Sequence, residues 1–285
     1  MPSRIPPTGM RPRATRRSNP LNLRLDLAYD GTPFRGFARQ SNFRTVQGDL
    51  EASLTKLFGR EVETFVAGRT DAGVHALGQV VSVPNAPEGL DPITLRDALN
   101  GMCRPSLVMW SCREMEEGWH ARFSARSRAY VYAILEGETP DPFLAGTTLY
   151  QRERLDVDAM NEAAGHLVGR RDFTSFGRLR EPDAPAERLL YELRVWREGR
   201  IIKVRARANA FMQQMVRSLV GTLTQVGGGG RSPDELPEIL RARDRSAAGP
   251  VAPPHALCLV AVEYDEGWSR PLDLEAPSPG GPSSV

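Results

Sequence analysis

The chain has 285 residues, 40% of them apolar and 25% charged, with a formal net charge of +2; that length suits two domains of ordinary size, and that apolar share fills real cores. No run approaches the roughly 18 consecutive apolar residues of a membrane span, and no apolar signal core follows the N-terminal charges, which predicts a cytoplasmic chain without a membrane partner. Cys103, Cys112 and Cys258 are odd in number and widely spaced in apolar surroundings, so they read as buried thiols rather than a disulfide framework or a zinc knuckle.

Residues 1–20 carry Arg4, Arg11, Arg13, Arg16 and Arg17 with several prolines and no acid. Such a segment cannot build a core and reads as a disordered basic arm, either touching RNA or solubilising the chain. Lys56 and Lys203 are the only lysines; an arginine-dominated chain suits phosphate recognition through the planar guanidinium fork, and equally follows from a GC-rich genome.

From Leu21 to Tyr29 apolar and polar residues alternate at a strand period, ending at Asp30-Gly31-Thr32-Pro33. Thr45 to Phe58 has helical spacing, with Thr45 as cap and Gly59 as stop. Glu63 to Val66 and Gly78 to Val83 are strand-like and flank Gly68-Arg69-Thr70-Asp71-Ala72-Gly73-Val74-His75. A helix over 91–102 and a strand over 107–112 complete a β-α-β-β-α-β order. The second half repeats it: strand 129–135, helix 157–168, strands 189–197 and 201–208 joined at Arg197-Glu198-Gly199-Arg200, a helix from Phe211, a shorter one over 233–242, and a strand 257–264. The expected fold class is therefore α+β, two ferredoxin-like halves with antiparallel sheets, helices packed on one face, and a cleft at the seam between the halves. The boundaries are an arm over 1–20, a first domain over 21–120 carrying the Asp71 loop, a second over 121–268, and a disordered Pro/Ser/Gly-rich tail over 269–285.

The Asp71 turn sets a carboxylate and a guanidinium between glycines at the junction of two strands, where loops commonly carry function; it also suits a polar connection in which Asp71 accepts backbone hydrogen bonds. Three further stretches stand out. Phe123 to Tyr132 alternates bases with aromatics, Arg126, Arg128, Tyr130 and Tyr132 among them, as single-stranded RNA would require and as an inward-packed strand would also produce. Ala206 to Arg217 leaves a strand and enters a helix on which Phe211, Met215 and Leu219 form a core stripe, while Arg217 lies off it and calls for a carboxylate if buried. Tyr29 to Phe37 is a strand exit with a base between aromatics, equally a Pro/Gly loop with hydrophobic anchors. No phosphate loop, dinucleotide fingerprint or histidine-rich metal triad occurs, so ATP-driven, redox and zinc chemistry lack sequence support. His75, His120, His166 and His255 are dispersed, no G-x-S-x-G elbow is present, and these histidines read as structural.

Taken together, Tyr29-Asp-Gly-Thr, Thr45-Val-Gln-Gly, the run Gly68 to Ala76, the Arg128 to Tyr132 strand, Asp172-Phe-Thr-Ser-Phe176, and Asn209-Ala-Phe211 leading to Met215-Val-Arg217 resemble the TruA family of tRNA pseudouridine synthases. The resemblance covers essentially the whole folded body and implies that the sheets of the two halves join into one extended, mostly antiparallel sheet with a central cleft. It implies an isomerase that converts uridine to pseudouridine at positions 38, 39 and 40 of the tRNA anticodon stem-loop, without cofactor or metal, as a homodimer in which one tRNA touches both subunits, with no DNA partner. By the same resemblance Asp71 is the catalytic aspartate, Arg217 its paired cation, Tyr130 the aromatic that stacks on the target uracil, and Arg69 the residue that displaces or holds the flipped nucleotide; Arg128 joins the substrate-binding set. Phe37-Ala-Arg-Gln40, Gln213-Gln214 and Pro254 to Cys258 depart from the family pattern, and none of these departures removes a proposed catalytic group. A non-catalytic RNA-binding protein on the same fold is disfavoured by the intact Arg69, Asp71, Tyr130 and Arg217 set. A metal-dependent nuclease would need clustered carboxylates where the turn offers a single acid.

Overall fold

The structure, a computed structural model, describes residues 21–179 and 185–270. The predicted arm over 1–20 and the tail from residue 271 onward lie outside the described residues. Ser269 and Arg270, the first residues assigned to the tail, belong to the folded body: Ser269 donates its backbone N–H to Val262 O (2.8 Å) and its hydroxyl to Gly78 O (2.9 Å).

The chain begins with β1 (Leu21–Tyr29) and α1 (Val46–Phe58), whose Thr45 cap accepts the Gly48 N–H and whose end is turned by Gly59 in the left-handed region. There follow β2 (Phe65–Val66), β3 (His75–Ala86), α2 (Pro92–Cys103), capped by the Asp91 carboxylate, and β4 (Leu107–Met115). The second half runs through β5 (Ser127–Glu136), β6 (Leu149–Gln151), α3 (Val157–Gly165), β7 (Gly169–Asp172), β8 (Glu187–Glu198) and β9 (Ile201–Ala208). It closes with α4 (Met215–Gly227), α5 (Leu236–Ala242), β10 (Leu257–Tyr264) and β11 (Gly267–Trp268). Among the described residues no helix is long and apolar enough to cross a membrane.

All the strands belong to one open mixed sheet ordered β4-β1-β3-β10-β5-β9-β8-β7, with β2 on β3, β6 on β5 and β11 on β10. Strand alternation works as the sequence suggests: along β9, Ile202, Val204, Ala206 and Ala208 are buried while Ile201, Lys203, Arg205 and Arg207 are half-buried on the other face. The two halves meet at the parallel pair β3·β10, registered through His75 with Cys258 and Ala76 with Leu259. A main core threads both halves, from Leu23, Leu25 and Leu27 to Leu219 and Leu223, and Ala129, Val131 and Val260 form a second, smaller cluster.

Some elements differ from expectation for identifiable reasons. The helix expected from Phe211 starts at Met215, because Gln214 adopts φ 63° and Gln213 pairs with Arg178 in an isolated bridge. The strand expected over 63–66 is reduced to Phe65–Val66, since Glu51 captures the Thr64 N–H and hydroxyl at 2.9 and 3.0 Å. Cys103 is buried as expected, whereas Cys112 and Cys258 are half-buried; all three are free thiols.

Candidate active site

The turn carrying Asp71 is clamped from several directions by side chains of the first half. Gln79, fully buried on β3, donates to Gly68 O (2.8 Å) and to the Tyr29 hydroxyl (3.3 Å), and that hydroxyl meets Thr70 Oγ1 at 2.7 Å. The Phe37 N–H donates to Thr70 O (3.1 Å), and within the turn the Val74 N–H donates to Asp71 O (3.2 Å). The loop after β1 fits against this turn because Gly31 has no side chain: a Cβ there would stand 2.2 Å from Val74 O. Burial outweighs the hydrogen bonds with Thr70 and Gln79 and pushes the Tyr29 phenol well above its usual range, so it stays a neutral hydrogen-bonding strut.

Arg217 arrives from the second half, in the first turn of α4. Its Nε donates to Ala252 O (2.6 Å), its Nη1 donates to Asp71 Oδ2 (3.1 Å), and its backbone carbonyl accepts the Ala252 N–H (3.1 Å). The segment that supplies Ala252 can lie on α4 only because position 221 is glycine, where a Cβ would fall 1.8 Å from Pro250 O. The pair is partly open: 25% of the Asp71 side chain and 13% of the Arg217 side chain remain accessible. Among the described residues nothing donates to Asp71 Oδ1. The carboxylate is therefore oriented and charge-paired through one oxygen, with the other available to attack an electrophilic carbon or take a proton.

Tyr130, on β5 opposite Leu259 and Ala206, is 7% exposed and meets Phe211 edge-on at 5.2 Å and 88°. Burial raises its phenol well above the usual range, with the neighbouring Tyr29 adding to the effect. Gly68 lies beside its hydroxyl, so the structure brings Tyr130 to the base of the Asp71 turn. Arg69 is exposed, and its side chain makes no ion pair or hydrogen bond among the described residues.

Arg128 is placed differently from its expected role at the substrate. Its five guanidinium hydrogen bonds all end on backbone carbonyls, those of Ala67 (twice, at 3.2 and 2.8 Å), Ala125 (3.3 Å), Asn209 (2.8 Å) and Arg122 (2.8 Å). No guanidinium N–H is left to face a phosphate. It acts as a strut, tying the chain ahead of the Asp71 turn to the second half, and its burial lowers its own proton affinity.

Sequence reasoning singled out neither Gln79 and Thr70, which hold the turn, nor Ala252, which holds Arg217. The one legible signal was Gln79, a lone amide entering the apolar run Val80-Val81. Cavities of about 510 Å³ (Arg154, Asp156, Asp158, Arg197) and about 330 Å³ (Arg171, Asp172, Arg241, Arg243) both lie elsewhere, and Asp71 lines neither. Among the described residues no three His, Cys, Asp or Glu side chains converge as a metal site.

Comparison with known proteins matches residues 27–124 and 163–265 to a family model described as tRNA pseudouridine synthase. The chain is 41% identical over 244 residues to tRNA pseudouridine synthase A of Caulobacter vibrioides (strain NA1000 / CB15N), covering 85% of this chain and 98% of that one. It is 42% identical to the protein of the same name from Brevibacillus brevis, covering 85% and 99%. With that of Paramagnetospirillum magneticum the figures are 43%, 87% and 96%.

Proposed function

The chain belongs to the tRNA pseudouridine synthase family, and from that premise we propose that it isomerises uridines 38, 39 and 40 in the tRNA anticodon stem-loop, with Asp71 as the catalytic carboxylate. The observation that carries the assignment is the state of Asp71: Oδ2 held by Arg217 from the other half of the chain, Oδ1 unengaged and accessible.

The reaction breaks the C1′–N1 bond of uridine, turns the base and forms a C1′–C5 bond; the proton lost from C5 is matched by the one gained at N1, so neither a redox partner nor a group donor is consumed. Asp71 Oδ1 can start this by adding to the ring, by attacking the sugar carbon or by taking a sugar proton, and each route needs the ionised carboxylate that Arg217 holds in place. The target base must first leave its stack, which costs a few kcal/mol. Tyr130, buttressed by Phe211, receives the uracil, and the unpaired Arg69 takes the displaced strand. Arg128 serves as a positioning residue that fixes the Ala67 end of the turn.

We read residues 21–120 and 121–268 as ferredoxin-like domains. Support comes from strand order, β4-β1-β3-β2 in the first and β10-β5-β9-β8 in the second, the same permutation of a β-α-β-β-α-β chain. The enzyme works in the cytoplasm as a homodimer, which light scattering at the working concentration checks. The test of function is incubation of the protein and an Asp71→Ala variant with unmodified tRNA, followed by chemical derivatisation and primer extension. Pseudouridine at 38, 39 or 40 with the parent alone supports the reading; pseudouridine made by the variant, or none made by the parent, overturns it.

A further inference from the structure

Phe123 is 77% exposed, and the rings behind it are ordered for a purpose its own burial cannot explain. Phe65, His120 and Phe123 form a row of tilted rings in contact: Phe65 to His120 at 4.9 Å and 39°, His120 to Phe123 at 4.5 Å and 37°. The middle ring is pinned. The backbone N–H groups of Arg122 (3.0 Å) and Phe123 (3.4 Å) both donate to His120 Nδ1, the His120 N–H donates to Ser124 Oγ (3.1 Å), and the Ser124 N–H donates to His120 O (2.9 Å). Nδ1 is thus an acceptor, which leaves the proton on Nε2 and the imidazole neutral, a better stacking layer than a cation. The segment is anchored below as well, by the Ala121 N–H to Ser82 Oγ (3.3 Å) and the Tyr264 hydroxyl to Ala121 O (2.7 Å). Phe123 is otherwise exposed, and the exposed Arg122 guanidinium stands over its ring, 5.7 Å from the centroid.

This row is mechanically joined to the Asp71 turn. One nitrogen of Arg128, Nη2, donates both to Arg122 O and to Ala67 O, each at 2.8 Å. Ala67 precedes Asp71 by four residues, a length of chain that spans at most about 14 Å. Phe65 lies two residues before Ala67 on the same segment.

We propose that Phe123 is the outer face of a base-stacking ledge, on which an unpaired RNA base flanking the target uridine stacks while Arg122 meets the neighbouring phosphate. The inference rests on the tRNA-modifying reading above and adds to it a substrate-gripping site outside the Asp71, Arg217 and Tyr130 set. A rigid, pre-packed aromatic end loses little conformational freedom on binding, and any of the four bases offers it a π-face, so the ledge grips without reading sequence. An arginine beside it supplies the charge complementarity that a nucleic-acid strand, rather than an apolar protein segment, would use.

The full-length protein carrying Phe123→Ala should bind unmodified tRNA about tenfold more weakly and show a correspondingly raised KM, with kcat within twofold of the parent. Because the side chain is exposed, its thermal midpoint should stay at the parent value. Phe123→Trp should bind tRNA as the parent does and add to the emission of the four native tryptophans an increment, read as the difference from the parent, that is quenched on tRNA binding. Parent-like affinity for Phe123→Ala, an added indole signal that tRNA leaves unquenched in Phe123→Trp, or a change in oligomeric state in place of tRNA affinity each overturns the ledge. These binding measurements do not depend on turnover: a parent that binds tRNA but makes no pseudouridine would sink the proposed function while still testing Phe123.

Discussion

Asp71 and Glu136 each meet an arginine from a distant part of the chain, and the two pairs are finished differently. Glu136 Oε1 accepts the Leu155 N–H (2.7 Å) and Arg197 Nη2 (3.1 Å), while Oε2 accepts Arg197 Nε (2.9 Å). Arg197 also donates to Leu155 O (2.7 Å), so fork and carboxylate are both spent on locking β5 to β8 and the start of α3. Asp71 has one bond, to one oxygen. Burial pushes Glu136 upward, but the Arg197 and Leu155 donors outweigh it and hold the carboxyl below its usual range. A carboxylate whose acceptor capacity is filled stabilises; one left with an empty oxygen can react.

The sharpest way to break this contrast is to remove the free oxygen of Asp71. Asp71→Asn should lower kcat by at least about 10³-fold while moving stability by no more than about 0.5 kcal/mol, read by single-turnover assay and thermal melt. Residual turnover near the parent rate would mean that the open oxygen is incidental. Arg217→Lys keeps the charge but not the fork that serves Ala252 O and Asp71 together, and should lower kcat about 10²-fold with tRNA affinity within twofold. Glu136→Gln should reverse the pattern: a loss of about 2 kcal/mol in denaturant unfolding and unchanged kcat.

The smallest effect sharpens the comparison through pH. The folded-state carboxyl of Glu136 titrates below its unfolded value of 4.5. Its contribution is therefore complete above that value and disappears as pH falls through the lower, folded one. The stability gap between the parent and Glu136→Gln should be constant from pH 6 to 8 and should close on acidification below about pH 4.5. A gap that persists undiminished in acid would show that the Arg197 contact works by shape alone.

What was legible in the sequence follows a physical line. β9 could be bounded at 201–208 because local alternation decides it, and β10 at 257–264 because a nearly continuous apolar run, as a strand covered on both faces requires, stops at Asp265. β6, β7 and β11, of three, four and two residues, carry too few side chains to show a period and exist because a neighbouring strand offers them partners. The start of α4 was displaced by a left-handed Gln214 that no propensity announces. Within the site, the pairing of Asp71 with Arg217 was implied by family resemblance and agrees with the 3.1 Å contact, whereas the Arg128 guanidinium looked outward in sequence and turned inward in space. The alternation of bases and aromatics around it cannot distinguish a phosphate ligand from a strut, since both require the same residue type. Which carbonyls lie within reach is decided by the 61 and 81 residues that separate Arg128 from Ala67 and Asn209.

The parallel pairing of β3 with β10 makes the site depend on chain segments far apart in sequence. β10 follows β1 to β9 along the chain, yet it is inserted at the middle of the sheet, between the strand that follows the Asp71 turn and the strand that carries Tyr130. Among the named strands, β10 alone joins the sheet of the first half to that of the second, and the Ala252 carbonyl that steadies Arg217 lies just ahead of it in the chain. A chain without residues 252–264 would keep every proposed catalytic side chain and lose both the strand that joins β3 to β5 and the carbonyl that steadies Arg217.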